Sequence, residues 1–115
     1  MVCPYSFDAP GGVQAHILDL AAEFTARGHY VGVLGPADAN MDLPDYVTRG
    51  GASLPVPFNG SIARIAVGPH VTRYARDFIL DGDFDVLHVH EPNATSFSLA
   101  ALRIAQGPIV ATYHT

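Results

Sequence analysis

Apolar residues along this chain fall into two kinds of run: short continuous ones, and longer ones that step by three or four. Val13, Ile17, Leu20, Ala21 and Phe24 step in the second way and share one helical face, while Gln14, Asp19, Glu23 and Arg27 lie largely off it. Gly28 stands where helices commonly end in a left-handed residue, so the spacing predicts a helix over Val13–Arg27. Val71, Tyr74, Ala75, Phe78 and Ile79 repeat the pattern between Pro69 and Leu80, with Pro69 suited to a first turn. A third helix is expected over roughly Thr95 to Ala105. The continuous runs Met1–Tyr5, Tyr30–Leu34, Phe84–His90 and Ile109–Tyr113 read as strands, with Ile62–Val67 a further short one. Leu54–Phe58 carries Pro55 and Pro57, which cannot donate to a ladder, so a strand there is expected to be short or at a sheet edge. Ala37–Gly51 is polar and contains proline, and reads as a long loop.

Strand, helix, strand, then helix, strand is the alternation of an α/β fold: a Rossmann-like parallel sheet with helices on both faces. Right-handed crossovers bring the carboxyl ends of the strands to one edge, where ligands of open α/β sheets bind. That edge should collect the Ser6–Gly12 loop, the His90–Asn93 turn and His114-Thr115. The opening strand is short and the chain stops directly after a strand, so residues 1–115 read as a fragment of a larger domain, trimmed at both ends.

Composition narrows the functions. Six basic residues, all arginine, face eleven acidic ones for a formal net charge of −5, which argues against a general nucleic-acid binder. One cysteine, Cys3, excludes an internal disulfide framework and any cysteine-rich zinc site. Neither a membrane-spanning run nor a secretory leader is readable, and the expected setting is cytoplasmic.

Three motifs could carry chemistry. Pro10-Gly11-Gly12-Val13 opens a helix, where backbone N–H groups and the helix dipole can meet a phosphate; a plain tight turn fits the same residues. Neither G-x-G-x-x-G nor G-x-x-x-x-G-K-[ST] is present. His88-Val89-His90-Glu91, with His114 on the same edge, raises the question of a metal. The stronger expectation is no metal, with His88 satisfied by backbone or a neighbouring side chain and His90 and Glu91 shaping the turn. His114 could donate to a substrate oxygen or be an ordinary loop residue. Asn59-Gly60-Ser61-Ile62-Ala63-Arg64 gathers an amide, a hydroxyl and a guanidinium that could hold a phosphorylated polyol, with Arg64 on the phosphate; a solvated turn is the alternative.

These segments, together with Met1-Val2-Cys3-Pro4-Tyr5-Ser6-Phe7-Asp8, Gly28-His29-Tyr30-Val31, Leu43-Pro44-Asp45-Tyr46-Val47, Asp83-Phe84-Asp85-Val86-Leu87-His88-Val89-His90-Glu91-Pro92-Asn93 and Gly107-Pro108-Ile109-Val110-Ala111-Thr112-Tyr113-His114-Thr115, closely resemble the N-terminal domain of actinobacterial phosphatidylinositol mannosyltransferases, retaining enzymes of the GT-B fold. The resemblance implies a two-domain enzyme that moves mannose from GDP-mannose to the inositol of phosphatidylinositol at the inner face of the plasma membrane, with no tightly bound cofactor. It implies that the backbone at Gly11 and Gly12 meets the donor diphosphate and that His114 is catalytic, contacting the transferred sugar. Tyr5, Gln14, Phe58, Asn59, Ser61 and Arg64 are implied to form the inositol-phosphate pocket, although Phe58 stands where the family has tyrosine. The family's second helix is lysine-rich; here it offers Arg73 and Arg76 for membrane contact, beside Asp77. Its apolar face with Val71, Tyr74 and Phe78 either adds to that contact or packs as core. The nucleotide-sugar domain would be absent and the 115 residues alone inactive. Two alternatives remain: another GT-B enzyme with a different sugar nucleotide or inositol-phosphate acceptor, or a non-catalytic phospholigand-binding module.

Overall fold

The computed structural model describes residues 1–58 and 60–114. Its elements run α1 (Gly12–Ala26), β1 (Val33–Gly35), β2 (Val47–Arg49), β3 (Leu54–Phe58), β4 (Ser61–Ile65), α2 (His70–Gly82), β5 (Leu87–His90), α3 (Phe97–Ile104) and β6 (Ile109–Thr112). The three expected helices are present with small shifts at their ends. The strands of the main sheet are shorter than the apolar runs that predicted them.

The opening segment threads the sheet together. Val2 bridges in parallel to Leu34 on one side and Val89 on the other. Val2 N–H donates to the His88 carbonyl at 2.9 Å, Cys3 N–H to Leu34 at 2.8 Å, Leu34 N–H to Met1 at 2.9 Å and His90 N–H to Val2 at 3.1 Å. With β1 parallel to β2 and β5 parallel to β6, the spatial order is β2, β1, opening segment, β5, β6. This is the reversal of strand order at which doubly wound sheets bind ligands. The opening run itself forms bridges at Val2 and Tyr5 in place of the continuous strand expected over Met1–Tyr5.

Two differences from the expected layout have physical causes. The loop Ala37–Gly51 contains β2, a three-residue strand whose Val47 pairs Val33; its polar flanks hid it. The β3–β4 pair is an antiparallel hairpin, with Pro55 opposite Arg64 and Pro57 opposite Ile62. Two-residue spacing puts both prolines where an N–H would point away from the partner, so a full five-residue strand forms in spite of them. Gly60, at φ 76°, takes the left-handed turn at the tip. Tyr5 pairs antiparallel with Ile65, and Ser6 N–H donates to the Arg64 carbonyl at 2.8 Å, so the hairpin is docked on the end of the opening segment.

Helices cover both faces. Cys3, Phe7 and Val33 pack with Ile17 and Ala21 of α1 on one side. Val2, Leu34, Leu87 and Val89 pack with Val71, Ala75 and Phe78 of α2 and Phe97 and Ala101 of α3 on the other. Val71, Ala75 and Phe78 of α2 are therefore core, while Arg73 and Arg76 are exposed on the solvent side together with Asp77 and Leu80. No helix of the described residues is long and apolar enough to cross a membrane. Phe97 is fully buried, and a Cβ on Gly50 would collide with its ring, so the second core has no slack there. Phe97→Ala should lower the unfolding free energy by about 3–5 kcal/mol at an unchanged denaturant dependence, read by urea titration.

Candidate functional site

Chain crossing at the carboxyl edge builds the site. The opening segment ends in the Tyr5–Gly12 loop, which is tied internally by side chains: Gln14 Nε2 donates to the carbonyls of Ser6 at 3.0 Å and Ala9 at 3.2 Å. Ser6 Oγ donates to Asp8 at 3.0 Å, and Asp8 in turn accepts Asp38 N–H at 2.9 Å. A loop held this way delivers Gly11 in an extended conformation to the start of α1. Helix α1 has neither a side-chain cap nor an acidic residue in its first turn. Its first N–H groups, at Gly12, Val13 and Gln14, are free of helical partners, and the dipole places roughly half a positive charge there.

Hairpin and loop enclose a cleft of about 270 Å³, lined by Tyr5, Gly11, Gly12, Gln14, Ser61 and Arg64 among others. Six of the residues singled out in the sequence thus share one cavity. Arg64 leans on Ser53, with Nε 3.3 Å from its Oγ, and meets no carboxylate among the described residues. Burial, followed by the negative charge of Glu91, raises the Tyr5 phenol above its ordinary pKa and keeps it a neutral donor. An anion is what a helix N-terminus and an unpaired guanidinium recognise together. Asn59 lies outside the described residues, as do Thr115 and the side chain of Phe58. Three larger cavities lie away from all of these residues: two of about 580 and 460 Å³ open at the opposite edge around Tyr30, Gly32 and Phe84, and one of about 370 Å³ lies between Val71 of α2 and Ser96, Leu99 and Arg103.

Beside the cleft stands a column of histidines. His88 and His90 alternate onto the α1 side of β5 and stack at 4.2 Å between ring centroids. His90 pairs with Thr112 in the ladder, and the same period carried past β6 puts His114 on that face. The His90 and His114 rings lie 5.2 Å apart, with Nδ1 of the first 2.9 Å from Nε2 of the second. His16 approaches both edge-on, at 5.9 Å from His90 and 5.3 Å from His114. It lies one helical turn after Gly12, which joins the column to the glycine turn. His88 Nε2 meets Thr112 Oγ1 at 2.7 Å, as expected of a histidine satisfied by a neighbour. Glu91, at φ 52°, turns the chain after β5, and its carboxylate accepts the His114 N–H. No group of histidine, cysteine or acidic residues among those described has the arrangement of a metal site.

His16 escaped the sequence reading. Its signal was present: an exposed position four residues after Gly12 on the helix that opens at the site. His90, expected to shape the turn with Glu91, is instead fully buried in the middle of the column.

A glycosyltransferase family 4 model matches residues 10–115. The chain belongs to that family. Over all 115 residues it is 58% identical to the phosphatidyl-myo-inositol mannosyltransferase of Mycolicibacterium smegmatis and 57% identical to that of Mycobacterium tuberculosis. A protein of the same name from Propionibacterium freudenreichii is 40% identical over 122 aligned residues. The chain spans about 30% of the length of the two mycobacterial relatives and 32% of the third. In glycosyltransferase family 4 terms it is a Rossmann-like half of a GT-B fold, as its order of elements implied.

The column also sets an acid sensitivity. Burial, reinforced by His88, His114 and His16, pushes His90 from an ordinary pKa of 6.5 down to about 3, and burial lowers His88 as well. Between those values the unfolded chain takes up a proton that folded His90 refuses, so stability falls as pH falls from 6.5 toward 3. The loss is at most roughly 1.4 kcal/mol per pH unit for one such group. Urea unfolding between pH 6.5 and 5 should show this slope, and His90→Asn should make it shallower; equal slopes would contradict the assignment.

Proposed function

We propose that the chain is the acceptor-side half of a retaining mannosyltransferase that moves mannose from GDP-mannose to the inositol of phosphatidylinositol. One observation carries the reading: a single cleft joins the free N-terminus of α1 to Tyr5, Gln14, Ser61 and Arg64. The names of the relatives supply the chemistry that such a cleft would serve.

In this reading the first N–H groups of α1, at Gly12 above all, hold the donor diphosphate, and Gly11 and Gly12 let it approach the backbone closely. Arg64 pairs the acceptor phosphate, while Tyr5, Gln14 and Ser61, with Asn59 and Phe58, surround the inositol. Phe58 brings no hydroxyl to that pocket. His114 donates to the transferred sugar or the departing phosphate, a contact worth most in the transition state. No tightly bound cofactor enters, and GDP-mannose is a substrate. The protein acts in the cytoplasm at the inner face of the plasma membrane, where Arg73 and Arg76 meet anionic headgroups with roughly 1 kcal/mol each and Asp77 weakens the attraction. The nucleotide-sugar domain lies in the remaining length of the enzyme, so these 115 residues alone turn over no donor.

The full-length protein, given GDP-mannose and phosphatidylinositol vesicles, should produce mannosylated phosphatidylinositol; transfer to a different acceptor, or none, contradicts the reading. Arg64→Ala should raise the acceptor KM about tenfold or more, the loss of a charge-assisted contact. His114→Ala should lower kcat by about 10²–10³ with little change in melting temperature. A destabilised His114→Ala protein with normal turnover per folded molecule would make His114 a packing residue.

A further inference from the structure

His90 is fully buried, yet its Nε2 has no hydrogen-bond partner among the described residues. Its other nitrogen, Nδ1, lies 2.9 Å from His114 Nε2, so a single proton lies between the two nitrogens. Two arrangements are possible. If His114 donates, His90 must carry its own proton on Nε2, and a buried N–H is left with no acceptor. If His90 donates from Nδ1, the unpartnered Nε2 is a bare lone pair. Orphaned buried N–H groups are the rarer and costlier of the two, which selects the second arrangement. It also settles His114: accepting at Nε2, a neutral imidazole must keep its proton on Nδ1.

We propose that His90 is a positioning residue for His114, donating from Nδ1 to His114 Nε2 so that His114 keeps an Nδ1–H to offer the transferred group. The surroundings hold the donor ring in place. His88 stacks beneath it at 4.2 Å and is itself tied to Thr112. Ser98 of α3 donates to the His90 carbonyl at 2.6 Å, and His16 closes the α1 side. On the other ring, Glu91 fixes the His114 backbone, so the pair is set by two elements that pack independently of any ligand. The strongly depressed basicity of His90 keeps it neutral across the physiological range, as a single shared proton requires.

The catalytic consequence rests on the mannosyltransferase reading, whereas the tautomer does not. Nitrogen-15 NMR of the histidine-labelled full-length protein at pH 7.5 should show His114 protonated at Nδ1 and unprotonated at Nε2. His90→Leu removes the donor and should lead His114 to populate both tautomers, with kcat for mannose transfer down about tenfold or more and KM little changed. His90→Asn carries an amide N–H at the position of the lost Nδ1–H and should recover most of both effects. Wild-type protein with His114 protonated at Nε2 overturns the proposal without any variant, and so does His90→Leu with unaltered kcat. The expected tautomer in a wild-type protein that transfers no mannose would overturn the enzymatic reading and leave the pairing standing.

Discussion

Four backbone hydrogen bonds made by Met1, Val2 and Cys3 hold the molecule's functional edge together. They insert the opening segment between β1 and β5, and everything at the carboxyl edge takes its position from that insertion. Because Val2 and Cys3 point to opposite faces, the same segment supplies both cores, one under α1 and one under α2 and α3. Because the segment runs parallel to β5, its exit at Tyr5 and the exit of β5 at His90 lie side by side. The hairpin then follows, since Tyr5 and Ser6 pair with Ile65 and Arg64.

The resulting edge is divided electrically. One part is a cleft with an uncapped helix N-terminus and an arginine that meets no carboxylate among the described residues, in a chain whose net charge is −5. Local positive potential in an acidic protein selects an anion at that place and repels polyanions elsewhere. The other part is a column of imidazoles in which burial keeps His88 and His90 neutral, offering hydrogen bonds without adding charge. Placing directional donors beside an anion site suits group transfer between two phosphorylated ligands better than simple storage of one of them.

The sequence made much of this legible because the relevant signals were local. The three-to-four spacing through α1 and α2, and the glycines before α1, can each be read within a few residues. The edge could be foreseen from the alternation of elements alone, and the family resemblance named the cleft residues. What escaped depended on distant partners. Val47 becomes strand only because Val33 lies beside it. The proline-containing β3 extends fully because its register spares both missing N–H groups. His16 and His90 look like a surface residue and a turn residue until folding brings His114, 24 positions beyond His90, to within a hydrogen bond.

The proposed function requires that the carboxyl-edge cleft, and not the larger cavities around Tyr30 and Phe84, receives the phosphorylated acceptor. Amide hydrogen exchange of the full-length protein, with and without soluble myo-inositol phosphate, tests it most directly. Slowed exchange is expected at Gln14 and at Ser61 to Arg64, with the amides near Tyr30 and Phe84 unchanged. Protection around Tyr30 and Phe84, or none at Ser61 to Arg64, would contradict it.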